Sequence, residues 1–383
     1  VTPGIRSTLV HRGFTPRHEW AFVRRILPFA ARGGPRWSTF SMNILVTGGA
    51  GYIGSHAVQR LLRDGHTVVA LDNLFRGHLK VMDAFAASHP EKFTFVQADI
   101  VDRSTVLTAM GAHAIDTVLH FAAMAYVGES VEQPLRYYHN NVGGLLSVLE
   151  ACDQAGVERF VFSSSCSTYG QPPAGMVPIP ETCPQDPVSP YGRTKLHGEH
   201  LIKDYAESCR RSGRAFGFAL LRYFNVAGCD RTGALGEDHT PESHLIPVLL
   251  QAALGQRDSV SLFGTDYPTP DGTCVRDYVH VEDLIGAHVL AMNKLVAGDA
   301  IAFNVGIGRG YSVREVIEAT KRVTGKRIHV KEEPRRAGDP PRAFADPTLI
   351  TRELGWSARV TDLDAIIESA WAWFKAHPQG YKS

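Results

Sequence analysis

The stretch "SPYGRTK" (Ser189–Lys195) puts a phenol and an ammonium four residues apart, directly after a proline. On a helix, positions i and i+4 share one face, so Tyr191 and Lys195 can meet the same small molecule. A tyrosine that accepts a proton near neutral pH needs its pKa lowered from about 10, and a nearby cation does this by favouring the phenolate. Taken alone, the pattern reads at least as well as a proline-started helix with a packed tyrosine and a solvated lysine. Other stretches shift the balance. "TGGAGYIG" spaces Gly48, Gly51 and Gly54 as G-x-x-G-x-x-G between an apolar run and an amphipathic one. Glycine permits a tight turn and close backbone approach to a pyrophosphate, and a helix N-terminus favours the anion. Asp72 closes the next apolar run, 18 positions after Gly54. A carboxylate there bonds a ribose 2′-hydroxyl and repels a 2′-phosphate, which favours NAD over NADP. Asp99 closes a third run and either reaches the adenine side or caps a helix. "FSSSCSTYG" (Phe162–Gly170) ends a further run in serines, whose hydroxyls can bond a substrate oxygen; serines also end strands for local backbone reasons.

These residues need a scaffold that brings them to one edge. "NILVT", "TVVALD", "FTFVQAD", "DTVLHFAA", "RFVFSSS" and "AFGFALLRYFN" are short apolar or β-branched runs. Helical patterns alternate with them: "SHAVQRLLRDG", stopped at Gly65, then "PLRYYHNNVGGLLSVLEACDQAG", then the segment opened by Tyr191. Strand–helix alternation predicts an α/β chain with a Rossmann-like, doubly wound parallel sheet covered on both faces. After about Phe224 come loops rich in Gly, Pro and Asp, such as "GTDYPTPDGT", with shorter helices between. The expected organisation is an NAD-binding domain over 42–224 and a smaller C-terminal α/β substrate domain over 225–383, some of whose segments return to the first. Residues 1–41 are Arg-rich and nearly free of acids, and read as a poorly ordered extension before a functional start at Met42.

Composition excludes several functions. With 44% hydrophobic and 21% charged residues and a net charge of +1, the chain has no global field for nucleic acid or anionic membranes. No run approaches the roughly 18 apolar residues of a membrane helix. Six cysteines contain no C-x-x-C pair, which argues for a reducing cytoplasm and against a zinc site; no metal is expected.

The glycine turn, strand-end serines and Tyr-x-x-x-Lys, in this order, resemble the short-chain dehydrogenase/reductase superfamily, in its extended branch. A closer likeness is to the UDP-glucose (UDP-galactose) 4-epimerase family. It is carried by "LVTGGAGYIGSH", "HFAAMAYVGES", "SPYGRTKLHGE", "LRYFNVAG", "FGTDYPTPDGTCVRDYVHV" and "PRRAGDPP", and runs from Met42 to Tyr381. The resemblance implies reversible inversion at C4 of a UDP-sugar through a 4-keto intermediate and tightly bound NAD. It assigns Tyr191 as base, Lys195 as its helper and Ser165 as partner of the sugar 4-hydroxyl. It implies NAD contacts at Tyr52, Ile53, Asp72, Asn73, Asp99, Ile100, Phe121, Ala122, Asn141 and Phe224, besides the glycines. It implies UDP-sugar contacts at Asn225, His244, Leu245, Phe263, Arg276, Tyr278, Arg336 and Asp339. Ala343 falls where a tyrosine is associated with exclusion of N-acetylated sugars and a small residue with their acceptance, which implies a roomy pocket and adds UDP-GlcNAc and UDP-GalNAc as candidate substrates. A homodimer is the family's usual state.

Departures exist. Ala125 replaces a lysine that contacts the cofactor in relatives, and Ser243 and His244 replace paired asparagines. "AYVGES" and "GTDYPTPDGTC" also resemble pentose 4-epimerases acting on UDP-xylose and UDP-arabinose. Cys166 and Ser167 stand where related dehydratases and decarboxylases carry carboxylates, which argues against both. A non-catalytic NAD-binding protein on the same fold is the rival of another class; the presence of both Tyr191 and Lys195 argues against it.

Overall fold

Alternate residues of the first strand point to opposite faces, and both faces are buried: Ile44 and Val46 enter one core, Leu45 another. That two-sided burial is the reason these runs read as continuously apolar. The computed structural model describes residues 41–173, 175–336 and 338–382; the extension expected at 1–41 lies outside them apart from Ser41. The strands in order are β1 (Asn43–Thr47), β2 (Thr67–Asp72), β3 (Phe93–Gln97), β4 (Thr117–His120), β5 (Arg159–Ser165) and β6 (Gly217–Tyr223). Four short strands follow, β7 (Asn225–Ala227), β8 (Val260–Phe263), β9 (Val275–Arg276) and β10 (Tyr278–His280), before β11 (Ala300–Val305). The seven-stranded sheet has the order β11-β6-β5-β4-β1-β2-β3, and every pairing in it is parallel. The chain reverses direction across the sheet between β1 and β4, the place where such folds open a crevice at the carboxyl ends of their strands.

Helices α1 (Tyr52–Arg63) and α2 (Leu79–Ser88) cover one face. Helix α3 (Arg103–Ala112) covers the other, and the short helices α4 (Val127–Glu132) and α5 (Pro134–Tyr137) lead into α6 (Gly144–Ala155) and α7 (Pro190–Arg211), which join α3 there. The single helix expected from Pro134 onward is interrupted. Residues Tyr138–Gly143 form a wider π turn. The Asn141 side chain explains it: its amide donates to the Met124 carbonyl (3.0 Å) and to Thr194 Oγ1 (3.0 Å), while its carbonyl accepts from the Met124 amide (2.8 Å). Such turns in helices occur mostly where a side chain must be aimed.

The remainder comprises α8 (Leu245–Ala253), α9 (Val281–Lys294), β12 (Tyr311–Ser312), α10 (Val313–Thr324), β13 (Val330–Glu333), β14 (Arg342–Ala343), α11 (Thr348–Leu354) and α12 (Leu363–Ala376). Helices α8, α10 and α12 share a third core with Val260 and Leu262 of β8. Three small sheets brace this part: β7 with β10, β8 with β13, and β9 between β12 and β14. Strand β11 and helices α9 and α11, all beyond residue 225, join the main sheet and the core on the α1 side. The described residues therefore lie in one compact unit.

Candidate active site

The first turn after β1 is shaped by what its glycines exclude. Gly48 has φ +72°, and a Cβ there would lie 2.7 Å from the Ala122 amide nitrogen. A Cβ on Gly54 would run into the Gly48 carbonyl oxygen. At Gly51 a Cβ would meet only that oxygen, at 3.5 Å, so its Cα faces open space at the start of α1. A pyrophosphate seated on the free amides of that helix end fits this cradle. We expect Gly54→Ala to shift the turn backbone and weaken NAD binding by at least about tenfold, or 1.4 kcal/mol; the NAD content of the purified variant measures it, and wild-type content would refute it.

Asp72 ends β2 under the same turn. Its carboxylate accepts from the Ala50 amide (3.0 Å) and the Leu74 amide (2.8 Å), which fixes it beside Gly51. Burial raises its pKa, and those two amides oppose the shift. Each oxygen keeps a second lone pair for a hydroxyl donor.

Ser165 closes β5, buried, with its Oγ accepting from the Ser167 amide (3.1 Å). Helix α7 starts one residue ahead of Tyr191: Pro190 takes the first position and Ser189 Oγ caps the Gly192 amide (3.1 Å). Tyr191 and Lys195, one turn apart, both face inward, 7% and 3% exposed. Burial pushes the Tyr191 phenol well above its ordinary value; Tyr223 adds to this, and a hydrogen bond with Ser165 opposes it. Burial pushes the Lys195 ammonium down to about 7. Its Nζ donates to the Ser163 carbonyl (2.7 Å) and lies 5.0 Å from the Phe162 ring centre. The shared face expected from the i, i+4 spacing is present. The lowering of the tyrosine pKa by Lys195 is not what dominates here, because desolvation acts on both groups.

Both centres line one cavity of about 1180 Å³, larger than the roughly 300–1,000 Å³ of a single small-molecule pocket. Its walls include Gly48, Gly51, Tyr52, Ile53, Gly54, Asp72, Asn73, Ile100, Phe121, Ala122, Ser165, Tyr191, Lys195 and Phe224. Asn225, His244, Leu245, Phe263, Arg276, Tyr278, Arg336 and Asp339 line the same cavity. The Arg276 guanidinium donates to the Pro340 carbonyl (2.8 Å) and lies 3.5 Å from Asp339, while Arg336 stands 4.6 Å over the Phe263 ring. Two guanidinium groups held in this way suit a diphosphate.

Three sequence-predicted residues stand off the wall. Asn141 is spent on Met124 and Thr194, and its neighbour Asn140 lines the cavity instead. Asp99 accepts from Asn73 Nδ2 (2.8 Å) and the Val101 amide (3.0 Å), and so braces Asn73. Ala343 lies one layer back, buried with Tyr169, Ala345 and the wall residue Phe224. Sequence reasoning missed Glu237, His239 and Glu242, which line the cavity beside His244. The His and Glu spacing in "GEDHTPESH" is the signal in the sequence that points to them.

Comparison with known proteins agrees with this geometry. Residues 44–306 match the NAD dependent epimerase/dehydratase family. A UDP-glucose 4-epimerase of Halalkalibacterium halodurans is 47% identical over 345 residues, covering 89% of this chain and 98% of that protein. A probable UDP-arabinose 4-epimerase of Oryza sativa subsp. japonica is 44% identical over 347 residues, covering 89% and 84%. The crystal structure of a UDP-glucose 4-epimerase from Stenotrophomonas maltophila, with bound NAD and formylated UDP-arabinopyranose, is 43% identical with a TM-score of 0.81, covering 88% of this chain and 99% of that one.

Proposed function

The chain belongs to the NAD dependent epimerase/dehydratase family, and from that membership we propose reversible inversion at C4 of a UDP-hexose, UDP-glucose and UDP-galactose, as its reaction. The observation that carries this reading is one cavity lined both by the glycine cradle with Asp72 and by Ser165, Tyr191 and Lys195. NAD held in this cavity would supply reversible hydride transfer at C4. The Gly48–Gly54 turn and Asp72 hold its pyrophosphate and adenosine ribose. Ser165 holds the sugar 4-hydroxyl, and Tyr191 takes its proton and later gives it back. Burial magnifies the effect of any positive charge brought beside the phenol, which is what a buried base with a raised pKa requires. Arg276 and Arg336 anchor the diphosphate while the sugar turns. Cys166 and Ser167 line the cavity where elimination chemistry would need a carboxylate.

The test is to add UDP-galactose, UDP-N-acetylgalactosamine or UDP-arabinose to purified protein without cofactor and follow products by NMR. The expected result is the C4 epimer of UDP-galactose. No epimer from any of the three, even with added NAD, would overturn the reading. UDP-arabinose is a second candidate substrate, favoured by the similarity to plant proteins carrying that name.

We assign Ala343 an influence on sugar size through its neighbour. A large side chain at this buried position crowds the cluster that holds Phe224, which lines the cavity. Ala343→Tyr is expected to lower kcat/KM for UDP-N-acetylgalactosamine relative to UDP-galactose by about tenfold or more. An unchanged ratio would remove Ala343 from the specificity account.

We further propose a homodimer formed through α4–α6, which carry exposed Val131, Leu135 and Leu146 on consecutive elements. Light scattering should give twice the 41.9 kDa chain mass. All six cysteines are free, and no helix of the described residues is long and apolar enough to cross a membrane; the thiols support a reducing compartment, the cytoplasm.

A further inference from the structure

Four side chains outside the reacting centre converge on the cavity wall between β7 and α8. Glu237, His239, Glu242 and His244 each offer one ligand atom, and these atoms lie within 4.8 Å of one another. His244 Nδ1 is 2.9 Å from Glu237 Oε1 and 3.0 Å from Glu242 Oε1. His239 Nδ1 is 3.4 Å from Glu237 Oε1 and 3.5 Å from Glu242 Oε2. A tetrahedral shell with bonds of about 2.0–2.1 Å has edges of about 3.3–3.4 Å. Each histidine nitrogen therefore stands 2.9–3.5 Å from an oxygen of both carboxylates, close to those edge lengths, with Glu242 turning Oε1 to His244 and Oε2 to His239.

A second observation points the same way. His239 Nδ1 is buried without a hydrogen-bond partner, although two carboxylates lie within ion-pair range. A buried nitrogen of this kind requires a partner, and an ion between the four groups supplies one. The carboxylates are themselves almost fully buried, with side chains 6% and 2% exposed. Glu242 is oriented by the amides of Ser243 (2.7 Å) and His244 (2.8 Å), the kind of outer support that ligating carboxylates receive. The His239 ring is flanked edge-on by Tyr52 and Tyr126. Binding releases the imidazole protons; two neutral imidazoles and two carboxylates then balance a +2 charge, and a four-coordinate N₂O₂ set suits Zn²⁺ better than Mg²⁺ or Ca²⁺.

We infer that Glu237, His239, Glu242 and His244 form a four-coordinate site for a Zn²⁺-class ion in the cavity wall. The ion ties residues 237–244 together at the start of α8 and so sets the positions of His244 and Leu245 along the cavity. This site is independent of which sugar the enzyme turns over.

The test uses the full-length, NAD-containing protein, treated with chelator, dialysed and titrated with Co²⁺. One equivalent should bind per chain with the strong visible absorption of four-coordinate cobalt, and Zn²⁺ should bleach it. Thermal melting should shift upward with Zn²⁺. His239→Ala and Glu242→Gln should each weaken binding by at least the about 10–100-fold that loss of an outer-shell partner causes. Retained NAD reports that a variant is folded, and a variant that fails to fold leaves the wild-type titration decisive. Sub-stoichiometric Co²⁺ binding with the weak spectrum of the hydrated ion would overturn the inference, as would unchanged affinity in folded His239→Ala. The cluster would then be a carboxylate–imidazolium network.

Discussion

Tyr191→Phe is expected to lower kcat on UDP-galactose by about 10²–10⁴-fold, the share commonly supplied by a positioned acid–base group, while the variant still carries NAD. The substitution removes one oxygen. The ring keeps its contacts with Met124 and Tyr137, and the first turn of α7 keeps its Ser189 cap and Pro190. The glycine cradle and Asp72 are untouched. What disappears is the phenol oxygen hydrogen-bonded to Ser165, the atom proposed to take the 4-hydroxyl proton. Steady-state kinetics together with NAD content checks the prediction. A kcat within a few-fold of wild type would remove Tyr191 from the mechanism; a matching loss of NAD would mean that the fold had been damaged instead.

The second large effect is on stability. Behind the serines of β5, Glu199 of α7 and Arg222 of β6 form an ion pair at 2.6 Å, with side chains 0% and 5% exposed. Glu199 also accepts from Ser164 Oγ (2.6 Å), and Gln185 Nε2 donates to its other oxygen (3.1 Å). Arg222 further donates to the Tyr169 hydroxyl (2.9 Å). Glu199→Ala leaves a buried guanidinium without its counter-charge and is expected to destabilise the protein by about 3–5 kcal/mol. A lower urea midpoint with an unchanged slope would show it; a midpoint at the wild-type value would mean that water or Gln185 replaces the carboxylate. The pair also has a pH signature. Burial alone would raise the Glu199 pKa, but Arg222, Lys203 and Ser164 outweigh it and hold the carboxyl below its usual value. A depressed folded-state pKa contributes stability that is complete above the unfolded value, about 4.3. That contribution is lost as pH falls through the lower, folded value. Stability of Glu199→Gln should therefore fall less steeply over that acid range than stability of the wild type.

Much of this protein is settled by short-range pattern. The alternation of apolar runs with amphipathic stretches determines a doubly wound parallel sheet, because buried strands and one-sided helices have different periods. Gly48 and Gly54 determine the cradle, since no other residue tolerates those contacts and that φ. Ser189 and Pro190 determine where α7 begins, and the i, i+4 spacing determines that Tyr191 and Lys195 share its inner face. Tertiary structure decides the rest. Only packing shows that Asn141 is consumed by Met124 and Thr194 and that Ala343 is buried in one cluster with Phe224. Only packing makes burial the strongest influence on both Tyr191 and Lys195. Only packing seals Glu199 against Arg222 and gathers two histidines and two glutamates into one cluster. Periodicity, caps and glycine turns are set by neighbours along the chain, so a linear pattern contains them. Desolvation and side-chain convergence depend on groups brought together from distant strands and loops, and these acquire their magnitude only when folding removes the water between them.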